Sequence, residues 1–128
     1  MKKECEKLWA TQKYLVLSKS QKIYNEIREY LKSDDVNLEI LKNKISLALN
    51  LKEDKSQILN SSKHIWGYFK KQAKSNEKNK FFFLLSEYKL SKIHNIEIFC
   101  FLEQLLIMYP NEYLQNTSIF DYYKKINK

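Results

Sequence analysis

Glycine and proline occur once each in the 128 residues, as Gly67 and Pro110, where average usage of about 7% and 5% would supply roughly nine and six. A hairpin-rich sheet protein cannot be turned with so few, because its tight turns require residues that adopt unusual backbone angles. Hydrophobic residues make up 44% of the chain and aromatic residues 14%, enough to bury a core and too many for a disordered segment. The expectation is an all-α, single compact domain of five to six helices spanning residues 1–128, a length that suits one domain.

The same scarcity limits the chemistry. A loop that cradles phosphate needs several glycines, because backbone amides must approach the anion closely. Cys5 and Cys100 form no C-x-x-C pair, so no zinc or iron–sulfur motif can be read, and two lone thiols suit a reducing compartment. His64 and His94 begin no H-x-x-x-H or H-E-x-x-H motif. No metal, no cofactor and no catalytic residues are therefore assigned. The apolar run Phe81–Leu85 falls far short of the roughly 18 residues of a membrane span. The opening residues carry acids and no apolar stretch of the kind that marks a secretory signal, so a cytoplasmic protein without a membrane partner is expected.

Apolar periodicity lays out the helices. Leu8, Trp9, Tyr14, Leu15 and Val16 predict a first helix over about Glu4–Leu17. Ser20 caps a second, carrying Ile23, Tyr24, Ile27, Tyr30 and Leu31. A loop over 32–35 follows, with Asp35 capping a third helix through Leu38, Leu41, Ile45 and Leu49. Asp54 with Gln57 has the spacing of a capping box and opens a long fourth helix to about Lys74, broken by Ser75 and Asn76. A fifth holds Phe81, Phe82, Leu85 and Tyr88. A sixth runs from Ile96 to Tyr109 and stops at Pro110. The tail from Asn111 carries enough apolar residues to dock as a short helix and an irregular segment.

Charge gathers on the fourth helix. At 100° per residue, Ile58, Ser62, Ile65, Trp66, Phe69 and Ala73 share a core face, and Asn60, Lys63, His64, Gly67, Lys70, Lys71 and Lys74 share the opposite one. Lys63, Lys70 and Lys74 fall almost on one line. Between Lys63 and Lys80 there are six lysines and one acid, Glu77, so this segment holds +5 of the chain's +8. A clustered basic stripe beside amide, imidazole and phenol groups is the footprint expected for a phosphate backbone. A solvated face is the plainer reading, since 22 lysines against one arginine, Arg28, and 11 asparagines betray a composition that inflates lysine throughout.

Gly67 costs a helix interior about 1 kcal/mol relative to alanine, so the position calls for a missing side chain. Either another helix packs there or a ligand backbone comes close. His64 has three readings: a contact to phosphate or base, a general acid, or a partner for a neighbouring carbonyl. A small enzyme would have to be built on His64 with Asn60 and Tyr68, the one grouping that supplies a base. An interaction adaptor or a homo-oligomerising domain would account for the aromatics if these proved exposed.

The run from Leu8 and Trp9 through Lys13, Tyr14, Leu15 and Leu17, followed by Tyr24, resembles the opening of the YbgA-like domain family. The stretch Asn60, Lys63, His64, Trp66, Gly67, Tyr68, Phe69, Lys70 and Lys71 resembles that family's most recognisable motif, an asparagine before His-x-x-Gly-Tyr-Phe-Lys-Lys. Glu77, Lys78, Phe82, Leu85, Tyr88, Lys89, Tyr113, Leu114 and Tyr122 continue the likeness over essentially the whole chain. Gln12 and Ile58 replace histidines common in the family, Ser91 and His94 replace the glycine and proline of its inter-helix turn, and Gln115 or Asn116 only approximates its glutamine near the end.

Domains of that family occur alone or fused to cysteine-ligated iron–sulfur domains of the thiouracil and thiouridine desulfidase kind, where they are regarded as the auxiliary, tRNA-binding part. The resemblance implies an RNA-binding module, tRNA favoured, serving a partner enzyme in trans. Lys13, from the matching Lys-Tyr pair, and Lys78, which follows the stripe into the next helix, join Asn60, Lys63, His64, Gly67, Lys70, Lys71 and Lys74 as candidate nucleic-acid contacts.

Overall fold

The computed structural model describes residues 1–127. Seven helices and no strand occur among them: α1 (Lys2–Lys19), α2 (Gln21–Tyr30), α3 (Leu38–Leu49), α4 (Lys55–Trp66), α5 (Ser75–Lys89), α6 (Asn95–Met108) and α7 (Ile119–Ile126). The all-α expectation holds, and the count exceeds five or six because the tail forms a full element, α7.

α1 is the axis of the fold. Six consecutive residues, Tyr14 to Lys19, are buried, which a one-sided surface helix cannot do. Cys5, Trp9 and Val16 pack with Ile27, Val36, Leu41, Ile45 and Ala48 of the α2–α3 side. Tyr14 and Leu15 pack with Ile58, Ile65, Trp66, Phe81, Phe99 and Tyr123 of the α4–α7 side. Lys19 is accommodated inside this packing because its Nζ donates to the Leu51 carbonyl at 3.1 Å and lies 5.6 Å from the Tyr122 ring centroid. The tail is fastened to the same helix: the Ser118 N–H donates to the Thr11 carbonyl at 2.9 Å, and the Ser18 and Tyr123 hydroxyls share a hydrogen bond of 2.7 Å. At the far end Glu53 accepts from the Tyr88 hydroxyl and, at 2.8 Å, from the Asn95 amide, joining the α3–α4 loop to α5 and α6.

The caps follow side-chain chemistry closely. Ser20 accepts from the Ile23 N–H at 3.1 Å as expected. α3 is capped by Asn37 and not by Asp35: its Oδ1 accepts from Glu39 and Ile40 at 2.8 and 3.1 Å. The displacement has a packing cause, since Val36 just before the cap is buried with Leu41 of the following turn, and this hydrophobic staple fixes where the helix begins. Asp54 caps α4, accepting from the Ser56 N–H at 2.9 Å, but the box is half formed. Gln57 turns away and accepts from the Gln21 N–H of α2 at 2.6 Å.

The long fourth helix to Lys74 does not exist. α4 ends at Trp66, and Gly67–Gln72 form consecutive tight turns. Tyr68 and Phe69 donate to the carbonyls of Ile65 and Trp66, three residues back, at 3.1 and 2.8 Å. Residues three apart eclipse one another in such a turn, which places the buried Phe69 beside the buried Trp66. Ser75 and Asn76 open α5 where a break was expected.

Between α5 and α6, Ser91 adopts φ 60, the left-handed region in which an L side chain costs roughly 1–2 kcal/mol. This is the position where the resembled family carries glycine. Ser91→Gly is expected to raise stability by about 1 kcal/mol, the relieved strain being partly offset by added freedom in the unfolded chain, as read from chemical denaturation.

Candidate nucleic-acid interface

Lys63, Lys70, Lys71, Lys74, Lys78 and Lys80 are all exposed. Every ion pair that a lysine makes among the described residues lies elsewhere: Lys2 with Asp34, Lys32 with Glu29, Lys42 with Glu39, Lys92 with Glu87, and Lys124 with Glu103 and Asp121. Glu77, the one acid in the segment, is occupied otherwise. Its Oε1 accepts from the Lys74 N–H at the start of α5 at 2.8 Å and from the Tyr109 hydroxyl at 2.7 Å. These bonds, the backbone one first, hold its carboxyl below the usual range. The six ammonium groups are thus left without a carboxylate partner.

The lysines do not form the single line that a continuous helix would give. Lys63 leaves the last turn of α4, Lys70 and Lys71 leave the turns after Gly67, and Lys74 precedes α5, which carries Lys78 and Lys80. Lys63 to Lys78 follow the bend of the chain around the α4–α5 junction, whereas Lys80 turns to α6, its Nζ 5.4 Å from the Phe101 ring centroid.

Beside it, three candidates meet in a cleft of ≈ 340 Å³ lined by Lys13, Tyr14, Tyr24, His64, Gly67 and Tyr68. α1 supplies the first two, α2 the third, and α4 with its following turn the rest. The Tyr14 and Tyr68 hydroxyls are hydrogen-bonded across the α1–α4 contact, with the rings edge to face at 6.0 Å. Burial, and then the bond to Tyr68, raises the Tyr14 phenol well above its ordinary range, so it stays protonated. Lys13, half-buried, holds its Nζ 5.2 Å from the Tyr14 ring centroid.

Gly67 borders this cleft with an ordinary right-handed backbone, φ −53 and ψ −27. A Cβ added there would meet the carbonyl oxygens of His64 at 3.1 Å and Lys63 at 3.7 Å, and no atom of another element within 4 Å. No neighbouring helix therefore accounts for the glycine, and the space faces solvent. Gly67→Ala is expected to change the melting temperature little, because the freedom lost by the unfolded chain is offset by the close approach of the new Cβ to the His64 carbonyl, a backbone atom.

Asn60 is used within the protein: its amide donates to the Gln21 Oε1 at 2.7 Å and ties α4 to α2. With Asn60 bound to Gln21 and Tyr68 to Tyr14, no hydrogen bond joins His64 to either, and the grouping on which an enzyme would rest is not a relay. His64 is exposed on the cleft rim, whereas His94 caps α6 by position without a side-chain bond. Tyr14, Tyr24 and Tyr68 were not among the candidate contacts. Tyr14 and Tyr68 stand next to Lys13 and Gly67 in the two motifs, and Tyr24 follows the first motif. Among the described residues, no group of three or more His, Cys, Asp or Glu side chains is placed to hold a metal ion, and no helix is long and apolar enough to cross a membrane.

No curated protein and no solved structure matches the chain. A family model described as a protein of unknown function, DUF1722, matches residues 13–124, a stretch that contains the whole cleft and all six lysines. The chain therefore belongs to the DUF1722 family, of which YbgA-like domains are members.

Proposed function

We propose that this domain is an auxiliary RNA-binding module, with tRNA as its ligand, acting for a tRNA-modifying or desulfidase enzyme carried on another chain. The observation that supports the reading is the set of five exposed lysines without ion-pair partners around the α4–α5 junction, Lys63, Lys70, Lys71, Lys74 and Lys78, beside a polar cleft that holds Lys13 and His64. Lysine acts as a point charge and not as a planar fork, so these contacts supply affinity with little choice of sequence. Selectivity then comes from the shape of the folded RNA. If Lys63, Lys70, Lys71 and Lys74 each neutralise one phosphate, a plot of log affinity against log salt should have a slope of about −3 to −4. Fluorescence anisotropy with labelled tRNA across a salt series measures it, and a slope near zero or no binding at low salt overturns the proposal.

A protein-interaction or homo-oligomerising role is the second reading, and one observation favours it. Ile40, Leu47 and Leu51 are exposed at helical spacing on and just beyond α3, Leu47 by 64%. Sedimentation showing a dimer that Leu47→Lys dissolves would support this reading and a strict monomer would oppose it.

A further inference from the structure

Only Arg28, among 23 basic residues, is an arginine. Arg28 is thus the one planar guanidinium that the chain offers. Its setting shows what the guanidinium offers. Arg28 is exposed, makes no ion pair among the described residues, and lies 5.9 Å from the ring centroid of Tyr24. Tyr24 in turn packs against Trp9, with ring centroids 5.4 Å apart. Arg28, Trp9 and Lys13 border a second cleft of ≈ 470 Å³ on the α1–α2 face. Lys13 also lines the first cleft, as does Tyr24, so the two hollows share a wall. The other cations of the second cleft are engaged. The Lys2 Nζ donates to the carbonyls of Leu31 at 2.8 Å and Ser33 at 2.7 Å, and Lys32 pairs with Glu29 at 3.0 Å. Lys13 and Arg28 are the cations left for a ligand, and Glu6 is the one acid on the cleft's wall.

We propose that these two clefts form one groove for an unpaired stretch of RNA, in which Arg28, resting on Tyr24, stacks against an exposed base while Lys13 and His64 take the adjoining phosphate. The inference rests on the RNA-binding reading above and names the form of RNA it needs. In a duplex the bases are stacked inside, and the helix meets a protein through its phosphates and 2′-hydroxyls. The lysines of the α4–α5 junction suit that contact, but a recessed groove walled by tyrosines does not. A splayed nucleotide presents a flat face and a phosphate together, and a guanidinium plane is among the surfaces on which such bases stack. Lysine has no plane, which gives the single arginine its physical reason.

The test compares two labelled RNAs with equal numbers of phosphates, a hairpin with an unpaired loop and a blunt duplex, against the wild type, Arg28→Lys and the double variant K70E/K71E. Stacking on an arginine–tyrosine pair is expected to make the hairpin bind about tenfold tighter than the duplex. Arg28→Lys, which keeps the charge at an exposed position, should bring hairpin affinity down to that of the duplex. K70E/K71E should weaken both RNAs together. Amide NMR shifts on adding a nucleoside 5′-monophosphate should fall on Lys13, Tyr24, Arg28 and His64. Equal binding of hairpin and duplex by the wild type overturns the groove and leaves the RNA-binding reading standing, as does a hairpin preference that survives Arg28→Lys. Failure of both RNAs to bind at low salt overturns the groove and the RNA-binding reading together.

Discussion

Reversing two charges together, in K70E/K71E, is expected to weaken tRNA binding by about two orders of magnitude or more while helicity and melting temperature stay within error of the wild type. Both side chains are exposed, and neither takes part in an ion pair or a side-chain hydrogen bond. What holds the segment is its backbone and its apolar residues: the Lys70 N–H donates to the Trp66 carbonyl at 3.1 Å, and Phe69 is fully buried. Substitutions that touch neither leave stability within about 0.5 kcal/mol. The two glutamates remove two phosphate contacts and add two repulsions, so the loss exceeds that of a double alanine variant, and the salt slope should become shallower by about 2. Circular dichroism and thermal melting verify the fold, and anisotropy with tRNA measures the binding. Full binding by the folded double variant would remove the α4–α5 junction from the interface.

The helices were legible wherever one face is apolar and the other polar. Ser20 and Asp54 were legible as caps because their oxygens reach the N–H groups two or three residues on. The misreadings share a cause, which is packing that adjacent residues cannot report. Asp35 and Asn37 are equally good caps in isolation, and the burial of Val36 decides between them. The core face assigned across residues 58–73 survives the end of α4, because Trp66 and Phe69 align in a three-residue turn and the Ala73 N–H then reaches back four residues to the Phe69 carbonyl at 2.8 Å, which keeps Ala73 against the core. The outer face does not survive, and Lys63, Lys70 and Lys74 lose their common line. The candidate site was legible in its residue types and not in its shape. Lys13, Tyr24 and His64 lie on three helices, and only the packing of α2 and α4 against α1 brings them to one cleft. Asn60 shows the converse: an amide on a polar face invites a ligand contact, until Gln21 from another helix is found beside it.

Three successive phenylalanines sharpen the point and carry the second large effect. Phe81, Phe82 and Phe83 are alike in sequence, but Phe81 is fully buried, Phe82 42% exposed and Phe83 60% exposed. The difference comes from Trp66, whose ring stacks on Phe81 at 4.8 Å and meets Phe82 edge to face at 6.3 Å. Trp66→Ala empties the contact between α4 and α5 and should destabilise the protein by about 3–5 kcal/mol, the usual range for a buried tryptophan or phenylalanine reduced to alanine. Against a total of about 5–15 kcal/mol, that loss should lower the melting temperature by on the order of 10–20 °C. Phe83→Ala removes a ring from the same triplet and should shift stability by no more than about 0.5 kcal/mol. Denaturant titration of both variants tests the assignment, with equal losses as the result that would refute it. The consequence extends to the interface. Trp66 is the last residue of α4, and its carbonyl receives the Phe69 and Lys70 N–H groups, so loosening it frees the turns that present Lys70 and Lys71. Trp66→Ala should therefore weaken RNA binding even at temperatures where the protein remains folded. Gly67→Ala, one residue on, should keep the fold intact and weaken binding only through the space it fills.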